Sequence, residues 1–121
     1  MGTITSFEDL EIWKYARDLV NLIYSDFRNC NDFNFKNQLI SAGISIMNNI
    51  SEGYCRFSDA EFRQFLNISK GSCGEVKSMY YIAEDQNYVS PEISIDRRKR
   101  CTYLINSIGK LMSYLKKNKV A

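Results

Sequence analysis

Ser45-Ile46-Met47-Asn48-Asn49-Ile50-Ser51-Glu52-Gly53, followed by Gly71-Ser72-Cys73-Gly74-Glu75, decides how this chain is read. At about 100° per residue the first stretch and its upstream neighbours divide a helix cleanly. Leu39, Ile40, Gly43, Ile44, Ile46, Met47 and Ile50 fall on one half, and Gln38, Ser41, Ser45, Asn48, Asn49 and Glu52 on the other. The second stretch sets Gly71 and Gly74 inside the next helix, where each glycine costs about 1 kcal/mol relative to alanine. Close packing of another backbone is the compensation expected there. Both stretches describe helices shaped for contact, and neither describes a catalytic site.

Working outward, helical periodicity covers nearly the whole chain. A first helix is expected over about 9–28, with Ile12, Ala16, Leu19, Ile23 and Phe27 at spacings of four and three and with Ser6 or Asp9 as its cap. Asn29-Cys30-Asn31-Asp32 breaks it. The second runs over about 34–55. The third, about 59–86, opens with Ser58 and Glu61 as a capping box and Phe57 with Phe62 as its hydrophobic staple. The fourth, about 91–117, has Ser90 as N-cap and Pro91 at its first position. Lys116, Lys117 and Lys119 complement its dipole. Strand-like alternation is absent. Four amphipathic helices with short connections give an all-α, antiparallel up-down-up-down four-helix bundle, a single domain over 1–121.

Composition narrows the function. The chain has no histidine, which removes Ser-His-Asp and Cys-His arrangements, HExxH zinc sites and the Glu-x-x-His sites of di-metal bundles. No glycine-rich phosphate loop takes their place, so a non-enzyme without cofactor is expected. Cys30, Cys55, Cys73 and Cys101 lack the close pairing of a zinc site and read as reduced thiols in or near the core. No apolar run approaches the roughly 18 residues that span a bilayer, and the N-terminus is no signal peptide. A cytoplasmic protein without a membrane partner is expected.

Charge is uneven. Residues 1–60 hold five Lys/Arg against eight Asp/Glu, and residues 61–121 hold eleven against six. Arg63, Lys70 and Lys77 recur every seven residues along one ridge of the third helix, and Arg97, Arg98, Lys99, Arg100 and Lys110 add charge on the fourth. Such residues can hold nucleic-acid phosphates or simply solvate the surface. The stripe Gln38, Ser41, Ser45, Asn48 and Glu52, with Gly71, Gly74 and Glu75, is the candidate for subunit or interhelix contact. It lacks the lysines and arginines that usually cover a solvated face. Trp13, Tyr24 and the phenylalanines lie on apolar stripes and read as packing groups.

Several of these residues, in order, resemble a known family. Phe7-Glu8-Asp9-Leu10-Glu11-Ile12-Trp13-Lys14-Tyr15-Ala16, Gln38, Ser45-Ile46, Asn49-Ile50, Glu52-Gly53, Phe62, Phe65-Leu66 and Gly71-Ser72 with Glu75 are similar to the four-helix bundle proteins encoded in intervening sequences of bacterial 23S rRNA genes. That family also contains the accessory variability proteins of diversity-generating retroelements. The resemblance implies a left-handed bundle assembling as a homopentamer, with nucleic acid and a reverse transcriptase as partners of the retroelement members, and no enzymatic activity. Its arginine slot is occupied here by Ser41. With the second and third helices antiparallel, Ser41 would lie level with Ser72 and Gln38 with Glu75, so Glu75 must find Gln38, Ser41, Ser45, another subunit or water. The functional expectation is an oligomeric binding adaptor for RNA, DNA or a nucleic-acid enzyme. The alternative is a purely structural or protein-binding oligomer.

Overall fold

The computed structural model describes residues 4–117. They form a short 3₁₀ turn (Phe7–Asp9) and four helices: α1 (Glu11–Asp26), α2 (Phe33–Tyr54), α3 (Asp59–Asp85) and α4 (Pro91–Lys117). No strand occurs among the described residues.

The helix ends follow local chemistry. Ser58 accepts the Glu61 N–H at 3.2 Å, and Ser90 accepts the Ile93 N–H at 3.1 Å just ahead of Pro91. The staple expected between Phe57 and Phe62 does not form. Phe57 is fully exposed, and Phe62 meets Tyr54 edge-on from the last turn of α2, with centroids 6.0 Å apart. Neither Ser6 nor Asp9 caps α1. Asp9 instead accepts the Thr5 N–H at 3.1 Å, which closes the 3₁₀ turn and delays α1 to Glu11. Asp32, in the stretch read as a break, is the cap of α2: it accepts the Phe35 N–H at 3.2 Å and the Tyr88 hydroxyl at 2.6 Å.

Side-chain pairs fix the register and direction of the bundle. Between α2 and α3, Ser69 donates to the Ile46 carbonyl at 2.7 Å, the Ser45 and Ser72 hydroxyls lie 2.9 Å apart, and Gln38 donates to Glu75 at 3.3 Å. As one number falls the other rises, so these helices are antiparallel. The Ser94 hydroxyl on the Tyr80 carbonyl at one end, and Lys70 sharing a cleft with Gly109 at the other, give α3 and α4 the same relation. Arg97 on Asp26 and Tyr103 against Tyr15 give it to α4 and α1.

The core runs the length of the bundle: Leu19, Ile23 and Phe27 from α1 and its end, Leu39, Ile46 and Ile50 from α2, Leu66, Val76 and Tyr80 from α3, and Leu104 and Ile108 from α4, all without exposed surface. Fully burying one such aliphatic side chain contributes about 1.5–3 kcal/mol. Gly53 lets α2 approach α3 closely, since a Cβ there would lie 2.7 Å from the Phe65 Cβ. Cys73 and Cys101 pack as small core groups, whereas Cys55 is exposed, contrary to the expected burial, because it caps the end of α2 at the surface. No helix among the described residues is long and apolar enough to cross a membrane.

Candidate nucleic-acid interface

The contact stripe on α2 and α3 divides in two. Its inner edge is an interhelix seam: Ser45 meets Ser72, and Asn49 donates to both the carbonyl and the hydroxyl of Ser45, at 2.8 and 3.0 Å. Gln38 supplies the partner of Glu75, so the carboxylate that lost an arginine to Ser41 keeps one neutral donor at the surface. Ser41 and Asn48 are exposed, and Glu52 is held by Arg56 one turn on at 2.9 Å. The close packing expected at Gly71 and Gly74 is not made within the chain, where a Cβ at either would meet nothing within 4 Å. On α3, Ile68, Gly71, Glu75, Ser78 and Ile82 form an exposed outer stripe.

The candidate cations separate even more sharply. Arg97 makes a two-pronged pair with Asp26, Nε to Oδ2 and Nη2 to Oδ1 both at 2.8 Å, and its Nη1 reaches Asp96 at 2.5 Å. Asp26 also accepts the hydroxyl of fully buried Tyr80 at 2.7 Å. The hydrogen bond to Asp26 is the main reason the Arg97 proton is held more tightly than usual, while burial above all pushes the Tyr80 phenol up. Arg98 lies over Tyr81 with its guanidinium 4.0 Å from the ring centroid, and it donates to Glu84 at 3.2 Å and Ser94 at 3.1 Å. Arg100 donates to Asp96 at 2.9 Å. Arg97 and Arg98, expected at a phosphate surface, are engaged inside the fold, and Arg100 is held at the surface by Asp96 one turn earlier. A strand of phosphates would have to displace carboxylates already in place.

Arg63, Lys70 and Lys110 are different. Two adjoining clefts of about 740 and 360 Å³ lie between α3 and the C-terminal half of α4, and both are lined by Lys70, Gly109 and Ser113. Lys110 and Lys117 line the larger; Arg63 and Lys116 line the smaller. No carboxylate lines either cleft among the described residues. The sequence explains why: α3 has no acidic residue from Phe62 to Gly74, and Asp96 is the last acidic residue of the chain. Arg63 Nη1 is buried without an acceptor. Lys77 continues the row one heptad further, near enough to Cys101 to favour its thiolate slightly, although burial wins and pushes that thiol up to about 12.

Sequence reasoning missed the Asp26–Arg97–Tyr80 cluster, yet two signals mark it. Arg97 lies four residues before Cys101 and seven before Leu104, on the core stripe of α4. Asp26 is the last residue of α1, where a negative charge opposes the helix dipole and needs a compensating partner. Lys116 and Lys117, expected only as dipole partners, also line the cleft, and Lys119 lies outside the described residues.

Fold and surface together define an all-helical bundle with a polar α2–α3 seam and a cationic α3–α4 cleft. The chain belongs to the 23S rRNA-intervening sequence protein family, whose model matches residues 8–110. Its fold is similar to the crystal structure of a protein of unknown function from the S23 ribosomal protein family of Bacteroides thetaiotaomicron. That structure is 22% identical, with a TM-score of 0.73, and the match covers 84% of this chain and 94% of the other. No curated protein matches the chain.

Proposed function

We propose that this protein is a non-enzymatic, self-assembling helical bundle that serves as a binding adaptor for nucleic acid. The observation that carries the reading is the set of cations on the α3–α4 face, Arg63, Lys70, Lys77, Lys110, Lys116 and Lys117, none of them in an ion pair among the described residues. Unpaired cations release condensed counterions when they meet phosphates, which makes such binding favourable at low salt and steeply weaker as salt rises. Self-assembly is supported by Gly71 and Gly74, helix-weakening residues with no neighbour in their own chain, beside exposed Ile68 and Ile82. A homopentamer is the assembly proposed, and a nucleic-acid enzyme such as a reverse transcriptase is the protein partner that fits an adaptor.

Electrophoretic mobility shift with structured RNA and with duplex DNA at low salt tests the nucleic-acid part; no shift at micromolar protein ends it. Light scattering tests the assembly, and a monomer at working concentration ends that part. The exposed Ile68–Ile82 stripe also favours a second reading, an oligomer that binds only protein, which a silent mobility shift with a clear oligomer would select.

A further inference from the structure

The geometry points to the α3–α4 cleft as the seat of a single nucleic-acid strand, its phosphates lying between the Arg63–Lys70 row and the Lys110–Lys116–Lys117 row, with Gly109 as the floor. This rests on the nucleic-acid reading above and names the site and the form of ligand.

The clefts share Lys70, Gly109 and Ser113 and therefore form one groove. Its two cationic rows each span seven residues, Arg63 to Lys70 and Lys110 to Lys117, which is about 10 Å of helix. Because the helices are antiparallel, the rows run side by side. A duplex keeps its bases paired and stacked and offers this surface phosphates alone, whereas a single strand can also bring an unpaired base to the exposed ring of Tyr114 in the lining. One extended strand can lie along the shallow depression between the rows. Arg63 has given up part of its hydration, with Nη1 buried and unpartnered, so a phosphate at its remaining nitrogens meets a cation that water already serves poorly. The floor is open: a Cβ at Gly109 would meet nothing within 4 Å. Ile105 and Met112 supply apolar wall, Tyr114 a ring on which a base of any identity can stack, and Asn106 and Ser113 polar edges.

At the Arg97 end of the same helices Arg98 is held by Glu84 and Arg97 by Asp26, which leaves exposed Lys99 as the cation without an ion pair there among the described residues. Five contacts, from Arg63, Lys70, Lys110, Lys116 and Lys117, would give a salt slope near −3.5 for a single strand, or about a hundredfold loss of affinity between 50 and 200 mM salt.

The test uses the full chain, a labelled oligothymidylate and a duplex of equal length, with binding followed by fluorescence anisotropy. The variants are Gly109→Glu and Gly109→Gln, which fill the same open space and differ in one charge. The expected result is strand binding at least tenfold tighter than duplex binding, a slope near −3.5, and at least a tenfold loss in Gly109→Glu that Gly109→Gln does not share, with both variants melting no lower than the parent. Equal strand affinity in the two variants would place the binding elsewhere on the molecule and overturn the groove while leaving the nucleic-acid reading intact. Duplex bound as tightly as strand would overturn the single-strand assignment. No binding of either probe at 50 mM salt would end the groove and the broader reading together.

Discussion

The two ends of the α3–α4 face hold cations in opposite states. At the end near the α3–α4 turn, Arg97, Arg98 and Arg100 meet Asp26, Glu84 and Asp96, and one of these pairs is nearly dry, with side-chain exposures of 12% for Arg97 and 4% for Asp26. At the other end, Arg63, Lys70, Lys110, Lys116 and Lys117 surround an open cleft without a carboxylate. Lysine dominates the open end, where Arg63 is the one guanidinium among the lining cations. The planar, forked guanidinium suits a fixed two-pronged partner, and the flexible ammonium suits a ligand that comes and goes. Local basic content is thus a poor guide to a binding surface; what matters is whether the fold has already supplied the anion.

The largest expected effect falls on the paired end. Asp26→Ala leaves Arg97 with only the half-exposed Asp96 and strips the Tyr80 hydroxyl of its acceptor. A loss of about 3–5 kcal/mol in unfolding free energy by chemical denaturation is expected. The double change Asp26→Leu with Arg97→Met should recover most of it, because the desolvation cost of the two charges disappears with them. A loss under about 1 kcal/mol for Asp26→Ala would break the comparison, since the pair would then be a surface contact in energetic terms.

This cluster also shows where sequence reading runs out. Helices and their partners were legible, because apolar periodicity and the Ser58 and Ser90 caps are local signals. The α2–α3 register was legible as far as Gln38 opposite Glu75, since one antiparallel turn near Arg56 sets it. The pairing of Asp26 with Arg97 joins residues 71 positions apart, and no local rule brings them together. The same holds for the cleft: Lys70 and Lys110 belong to one site only because α3 and α4 pack antiparallel at that level. Phe57 failed as a staple for a tertiary reason, Tyr54 having taken the ring of Phe62.

Next in size, Gly109→Ala should raise stability by up to about 1 kcal/mol, because alanine is the better helix former and its methyl enters open space. The same change at Gly53 should destabilise by about 1–3 kcal/mol, since the added Cβ would lie 2.7 Å from the Phe65 Cβ and 2.9 Å from Phe62 Cδ1. Thermal melts of the two variants side by side check both signs. A stabilised Gly53→Ala would mean that α2 and α3 part more easily than their packing implies.

Acid should separate the two ends more gently. The hydrogen bond from Arg100, and then that from Arg97, hold the Asp96 carboxyl below its ordinary 3.8. A carboxyl lowered in the folded state stabilises it fully above the unfolded value, and that contribution is lost as pH falls through the folded one. Because Asp96 is 46% exposed, at most about 1 kcal/mol is at stake. The unfolding free energies of the parent and Asp96→Asn should therefore converge between about pH 6 and about pH 2.5. A constant gap across that window would show that the Asp96 charge contributes nothing to the fold.

The smallest effect is expected where the fold supplies no anion. Lys70 sits between the two clefts among Arg63, Lys110 and Lys116 and has no carboxylate partner among the described residues. Removing it relieves repulsion among like charges but gives up some contact between its half-buried stem and the neighbouring helix. These terms oppose each other, so Lys70→Ala should change stability by no more than about 0.5 kcal/mol. Lys70→Glu supplies the missing anion in place, and it should stabilise the protein at low ionic strength, with the gain fading toward 1 M salt where the screening length is about 3 Å. Denaturant midpoints at low and high salt read both variants. If Lys70→Ala instead lost more than about 1 kcal/mol, Lys70 would be a fixed structural cation like Arg97, and the contrast between the two ends would collapse.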